Sequence, residues 1–279
     1  MKQLYDKFSS DVSVKLTKAY STSFSLGILC LDTEIRRHIY AIYGFVRLAD
    51  EIVDSFHDYD KEVLLKRFEQ ETWTALDEKI SLNPVLQSFQ ETVNQYKIDR
   101  DLIKQFLHSM EMDLKPKVYT NTTYREYIFG SAEVVGLMCL KVFVSGDDQA
   151  YHELKPYAIK LGSAFQKVNF LRDIKDDLGV LGRSYFPNIQ NQDLDHASKT
   201  AIIDDIANEM NVALHGIQRL PASSGYGVYL AYKYYLALLN KLKKTSVSKI
   251  LNERIRVNNF EKSLIFVESY LKFRFLRYR

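Results

Sequence analysis

The sequence is poor in the residues that staple, break or kink a chain. Cysteine occurs only twice in 279 residues, at Cys30 and Cys139. Two thiols without CxxC spacing exclude a disulfide framework and a thiolate zinc site, and the expected compartment is a reducing cytoplasm. Five prolines and eleven glycines leave no Gly-, Ser- or Pro-rich linker, and no repeat or low-complexity block is present, so residues 1–279 read as one domain. No uninterrupted stretch reaches the ~20 apolar residues of a bilayer-spanning helix. The start, "MKQLYDKFSSDVSVKL", has no apolar run of signal-peptide length. HExxH, GxGxxG and Walker-type loops are all missing, which removes zincin, dinucleotide and P-loop chemistry. A carboxylate di-iron site wants Glu-x-x-His pairs, and no histidine has Glu three residues before it; the nearest forms are Asp54-x-x-His57 and Asp193-x-x-His196. With 38 basic against 35 acidic residues, the balance gives no electrostatic footprint for nucleic acid.

What is present is a helix-rich apolar chain, 46% hydrophobic, with 19 Tyr and 16 Phe. That composition suits a large core or a deep apolar cavity. No segment alternates as a strand does, and the punctuation predicts nine or ten helices in an all-α fold. Asn83-Pro84 is an N-cap followed by N1, Pro116 follows the pattern of 99–112, Pro156 falls near the start of the next long pattern, and Pro187 and Pro221 close others. "TYRE", Thr123 to Glu126, has the form of a capping box opening a helix. Basic clusters, "KLKK" at 241–244 and "KFRFLRYR" with Lys272, Arg274, Arg277 and Arg279, suit either a solvated terminus or peripheral contact with an anionic membrane.

Two helical stretches carry charge where a core is expected. In "YAIYGFVRLADEIVD", with Asp50 at zero on a helical wheel, Tyr43, Asp54 and Arg47 fall at about +20°, +40° and +60°. Ile39, Ile42, Val46, Ala49 and Val53 occupy the adjoining arc, so the polar stripe borders the buried face. Taken alone, Arg47 pairing with Asp50 or Glu51 on a solvated face would explain it. A second stripe changes the reading. In "LGSAFQKVNFLRDIKDDLG", with Asp173 at zero, Gly162, Gln166, Asn169 and Asp177 fall at about −20°, +20°, −40° and +40°, and most of the remaining circumference is apolar. Two amides and two carboxylates on a largely buried helix are costly without a polar partner. Opposed carboxylates raise one another's pKa unless cations intervene, and hard divalent cations take oxygen ligands, water and phosphate. The pair of stripes therefore points to a metal–diphosphate site. Arg47, Arg172 and Arg183, with the Tyr185 hydroxyl in "GRSYFP", stand where phosphate oxygens would need donors.

These residues resemble a known family, the squalene and phytoene synthases, and most of all bacterial phytoene synthases. The resemblance runs through "YSTSFSLG", the first stripe, "MEMDL" at 110–114, "YIFGSAEVVGLM" at 127–138 and "LGSAFQKVNFLRDIKDDLGVLGRSYFP". It implies an all-α isoprenoid-synthase fold with a central cavity, and head-to-head condensation of two prenyl diphosphates through a cyclopropylcarbinyl diphosphate. Two geranylgeranyl units would give phytoene without NADPH; the alternatives are farnesyl units giving dehydrosqualene or, with NADPH, squalene, and a non-catalytic, membrane-associated assembly factor. Carried over by motif, Asp50, Asp54, Asn169, Asp173 and Asp177 would bind Mg²⁺ or Mn²⁺, and Tyr43 and Arg47 would join the four aspartates at the reacting end. Ser21, Ser23, Phe24, Tyr43, Arg47, Gln166, Arg172, Arg183, Tyr185 and Tyr235 would contact substrate. Tyr20 and Thr22 stand where many relatives carry His and a basic residue.

Overall fold

Helix starts in this chain are set by side chains that accept from otherwise unpaired amides. The computed structural model describes residues 1–115, 119–179, 183, 185–187 and 194–276, with the side chains of residues 22, 23, 178, 179 and 274–276 outside that description. The first two helices are α1 (Lys2–Tyr20) and α2 (Thr22–Leu29), separated at Ser21, whose hydroxyl accepts from the Phe24 amide. Asp32, Asp60, Asn83 and Asp99 cap α3 (Thr33–Asp54), α4 (Lys61–Glu78), α5 (Pro84–Tyr96) and α6 (Arg100–Met112). The expected Asn83-Pro84 start is present, with Pro84 at the first helical position.

Elsewhere the punctuation differs from expectation. The capping box is formed by Thr120 and Thr123, so α7 (Asn121–Ile128) opens three residues before the predicted "TYRE" start. Thr120 and Thr123 are both competent caps, and the pattern alone favoured the wrong one. A π-helical turn, Phe129–Glu133, leads into α8 (Val134–Phe143). Next, α9 (Asp148–Gly179) begins where Asp147 accepts from the Ala150 amide, which leaves Pro156 inside the helix instead of at its start. Pro187 lies outside any helix, Pro221 is the N-cap of a new one, and Pro116 lies outside the described residues. The chain ends in α10 (His196–Arg219), α11 (Ala222–Lys244), α12 (Val247–Asn252) and α13 (Asn259–Leu276). Thirteen α-helices are therefore described where nine or ten were predicted, and no strand is present among the described residues. Lys79 and Lys97 adopt the left-handed conformation at the ends of α4 and α5, a position glycine usually takes.

The all-α expectation holds. Helix α3 runs through the interior, packed by α1 and α5 on one side and by α6 and α8 on another. Phe45, fully buried, stacks on Phe89 with ring centroids 3.9 Å apart and meets Phe68 and Phe106 at 5.4 Å. Against α10, α8 and the π turn lies α9, while α11 packs on α2, α10 and α13. A cavity of about 490 Å³ is enclosed by α2, α3, α8, α9, α11 and the π turn. Its walls approach closely at glycine: a Cβ on Gly227 would sit 2.7 Å from the Gly27 carbonyl oxygen across the α2–α11 contact. At Gly130, in the π turn, a Cβ would lie 2.6 Å from the Gln105 carbonyl oxygen and 2.7 Å from Ser109 Cβ. Backbone cannot yield there as a side chain can, so Gly130→Ala should cost ~1–3 kcal/mol through overpacking. Chemical denaturation checks this, and an unchanged midpoint would show that the π turn relaxes freely.

Candidate active site

The site forms where the last turns of α3 meet the middle of α9. Helical spacing places Tyr43, Arg47 and Asp50 on one edge of α3, and Gln166, Asn169 and Arg172 on the facing edge of α9; all six line the cavity. Ser21 and Phe24 reach it from α2 and Tyr235 from α11. The Phe24 ring stacks on Tyr43 at 5.0 Å, and Phe165 stacks on Tyr235 at 3.8 Å. The Tyr235 hydroxyl donates to Asn169 Oδ1 at 3.2 Å, and the Gln166 amide donates to Ser131 Oγ at 3.2 Å. Cys139, Leu140, Phe143, Leu154, Ile217 and Leu220 line the deep, apolar part.

The other predicted acids, Asp54, Asp173 and Asp177, are not part of the cavity lining, and the carboxylates of Asp54 and Asp173 are held by arginine. Arg172 Nε donates to Asp173 Oδ1 at 2.8 Å, and Arg254 Nε lies 2.8 Å from the same oxygen. Arg183 ties the stripes together: its Nη1 donates to Asp54 Oδ1 at 2.9 Å, and its backbone amide donates to the Asp177 carbonyl at 2.8 Å. Its remaining contacts go to Asp113, with Nη2 donating to the backbone oxygen at 2.7 Å and Nε 3.7 Å from Oδ1. Asp113 also accepts from the hydroxyls of Tyr119, Tyr127 and Tyr185. Arg183 and Tyr185 are thus turned toward protein carboxylates, with Arg183 only 6% exposed. The predicted Ser23 side chain lies outside the described residues.

Charge at the mouth is only partly compensated. Asp50 has a third of its side chain accessible, 32%, and that third faces the cavity. Burial, then the neighbouring Asp54 carboxylate, pushes its pKa up to about 8. Asp177 is likewise pushed up to about 8, by burial and then by Asp173. Arg47 gives most of its attention to Glu51 and stays 4.0 Å from Asp50. Its guanidinium lies 4.1 Å from the centre of the Tyr20 ring, while its Nε is buried without an acceptor. Among the described residues no three acidic, His or Cys side chains stand close enough to share one ion. The donor set is nonetheless all oxygen, short of positive charge on the acid side and short of an acceptor at Arg47. Hard divalent cations accompanied by an anionic ligand fit that chemistry.

Comparison with known proteins decides what the geometry belongs to. Residues 17–261 match the family model for squalene/phytoene synthase. The chain belongs to that family. A 4,4'-diapophytoene synthase of Staphylococcus haemolyticus is 24% identical over 90% of this chain and 93% of its own. A phytoene synthase of Arthrospira platensis is 24% identical over 96% and 94%. Among solved structures, a dehydrosqualene synthase in complex with ligand superposes with a TM-score of 0.81 at 21% identity, covering 97% of this chain and 98% of that one. The fold is therefore the isoprenoid-synthase fold, and this family member is a prenyltransferase of the class that joins prenyl diphosphates head to head.

Three residues at the site of this squalene/phytoene synthase family member went unassigned by sequence reasoning: Asp113, Arg254 and Tyr20. Asp113 is visible only as the aspartate within "MEMDL", at the C-cap of the amphipathic α6. Arg254 follows the six-residue α12 and offers no periodic signal. Tyr20 was noticed as a departure, and its ring proves to carry the Arg47 guanidinium. Removing Arg183 would leave Asp113 buried beside Asp54 without a cation, so Arg183→Met should destabilise by ~3–5 kcal/mol; a denaturation midpoint within error of the parent would refute the bridging role. The titrations give a further expectation. Asp50 and Asp177 keep protons to about 8 when folded but lose them near ~4 when unfolded. The folded chain then binds more protons between those values, so their contribution makes stability fall as pH rises from about 4 to about 8 and level off above. In chelator, Asp50→Asn should gain on the parent as pH climbs from 5 to 8, and a gap that stays constant would contradict the burial of Asp50.

Proposed function

We propose that the protein condenses two geranylgeranyl diphosphates head to head, through a cyclopropylcarbinyl (prephytoene) diphosphate, to phytoene in carotenoid biosynthesis, with release of diphosphate and without NADPH. The observation that carries the chain length is the reach of the cavity. Its α9 wall extends from Arg172 to Leu154, eighteen residues and so ~27 Å at 1.5 Å per residue. An extended C20 tail spans ~18 Å at ~1.2 Å per main-chain bond, judged by the ~3.5 Å reach of three backbone bonds. A C15 tail, ~13 Å by the same measure, would cover ~5 Å less of that wall than the C20 tail. The name of the Arthrospira relative agrees with the C20 reading. The C15 reading, ending in dehydrosqualene or squalene, is favoured by the names of the staphylococcal relative and the superposed structure. A non-catalytic role fits poorly, because both acidic stripes are complete.

Asp50, Asp54, Asn169, Asp173 and Asp177 would hold Mg²⁺ or Mn²⁺, which when bound supplies the positive charge against which diphosphate departs. Arg47 and Arg172 would grip phosphate oxygens, with the unpartnered Arg47 Nε the donor in waiting. Burial pushes the Tyr43 phenol up to about 12, so it serves as a neutral donor at the reacting end. Gln166, Tyr235, Ser21, Ser23 and Phe24 would position the first isoprene units, and Arg183 and Tyr185 would act at one remove by holding Asp54. The apolar wall excludes water, which would otherwise capture the allylic cation. We place the protein in the cytoplasm; no described helix is long and apolar enough to cross a membrane.

Incubating the purified protein with Mg²⁺ and each diphosphate in turn, without NADPH, and weighing the hydrocarbon by mass spectrometry tests this. Phytoene from the C20 substrate is expected, product from the C15 substrate alone would replace the chain-length assignment, and no turnover of either would overturn the proposal. Asp50→Ala and Asp173→Ala should each lower turnover by ~100-fold or more while the chain remains folded by circular dichroism.

A further inference from the structure

Charge is distributed very unevenly along this chain. Residues 233–279 hold twelve Lys and Arg against three acids, Glu253, Glu261 and Glu268, whereas residues 1–232 hold 26 against 32. The basic segment includes α13, which is docked on α11 by one face only. Phe266 and Phe273 meet Tyr226 at 6.3 and 5.6 Å, Ser269 is fully buried, and the Tyr234 hydroxyl donates to the Lys262 carbonyl at 3.2 Å. The opposite face is apolar and bare: Phe260, Leu264, Val267 and Leu271 are 73, 55, 58 and 53% exposed. They lie within about 60° of one another on the helix, and Phe273 falls about 180° from Leu264. A soluble chain has no use for such a stripe unless something covers it.

We infer that this face of α13 docks on an anionic lipid bilayer. Three observations converge. The apolar stripe is flanked in sequence by Lys272, Arg274, Arg277 and Arg279, with no acid after Glu268, the composition of an interfacial helix drawn to negative headgroups. Lys233, Lys241, Lys243 and Lys244 belong to α11, the helix on which α13 packs, and Lys241 is paired with Glu261 at 3.1 Å. And α11 carries α13 on its outer side while Gly227, Val228 and Ala231 on its inner side line the cavity. Docking would therefore lay the cavity wall parallel to the membrane, next to the phase into which prenyl chains and hydrocarbon partition. A second copy of this chain is the competing occupant, since the 4-3-4 spacing also suits a helix seam.

The test is sedimentation of the full-length protein with vesicles of phosphatidylcholine alone or mixed with phosphatidylglycerol. Binding to the anionic vesicles, weakened by salt and about tenfold lower in Leu264→Ser/Val267→Ser, is the expected result, with solution turnover and melting temperature unchanged. No binding to anionic vesicles, or equal binding by the double variant, would overturn the inference. So would a dimer in light scattering that the double variant converts to monomer.

Discussion

Everything at this site depends on how like charges are buried opposite one another. Acids at the end of α3 and along α9 share one partly buried mouth, where burial and then a neighbouring aspartate make Asp50 and Asp177 harder to ionise. Folding is made possible by guanidinium groups placed between them. Arg183 spans Asp54, Asp113 and the Asp177 backbone, and Arg172 and Arg254 share Asp173. Yet compensation stops short at Asp50, whose nearest arginine is committed to Glu51. An arrangement balanced enough to fold but still deficient in positive charge is one that a cation and its anionic ligand complete.

Asp113 shows how that balance is kept. It is buried, it meets one arginine, and three tyrosine hydroxyls donate to it. Burial raises its pKa to about 6, with Arg183 and the Tyr127 hydroxyl working against the rise. The tyrosine rings pack on one another, Tyr119 on Tyr185 at 5.2 Å and Tyr127 on Tyr185 at 5.0 Å, so the polar node is wrapped in its own apolar shell. Arg183 is thereby fixed, and through it the C-terminal turn of α3.

The two stripes were legible in the sequence because helical periodicity survives burial: Tyr43, Arg47 and Asp50 project together whatever surrounds them. Less was legible where geometry joins distant segments. Asp113 and Arg183 are 70 residues apart and Arg254 and Asp173 are 81 apart, and no spacing rule reaches so far. Residue type misleads at Arg183 for a physical reason. The same planar fork suits phosphate and carboxylate, so its partner is decided by position alone.

The deep cavity obeys a second constraint, that nothing in it may capture a carbocation. Aromatic faces can face a cation favourably, and Phe24 on Tyr43 and Phe165 on Tyr235 are stacked at the reacting end. The hazard is Cys139, a sulfur nucleophile in the lining. Nucleophilicity belongs to the thiolate, and burial pushes this thiol up to about 12. The same dryness that denies water to the intermediate therefore keeps Cys139 protonated and Tyr43 neutral. Apolar burial thus protects the reaction in two ways, by exclusion of solvent and by holding the wall's own acidic groups in their unreactive form.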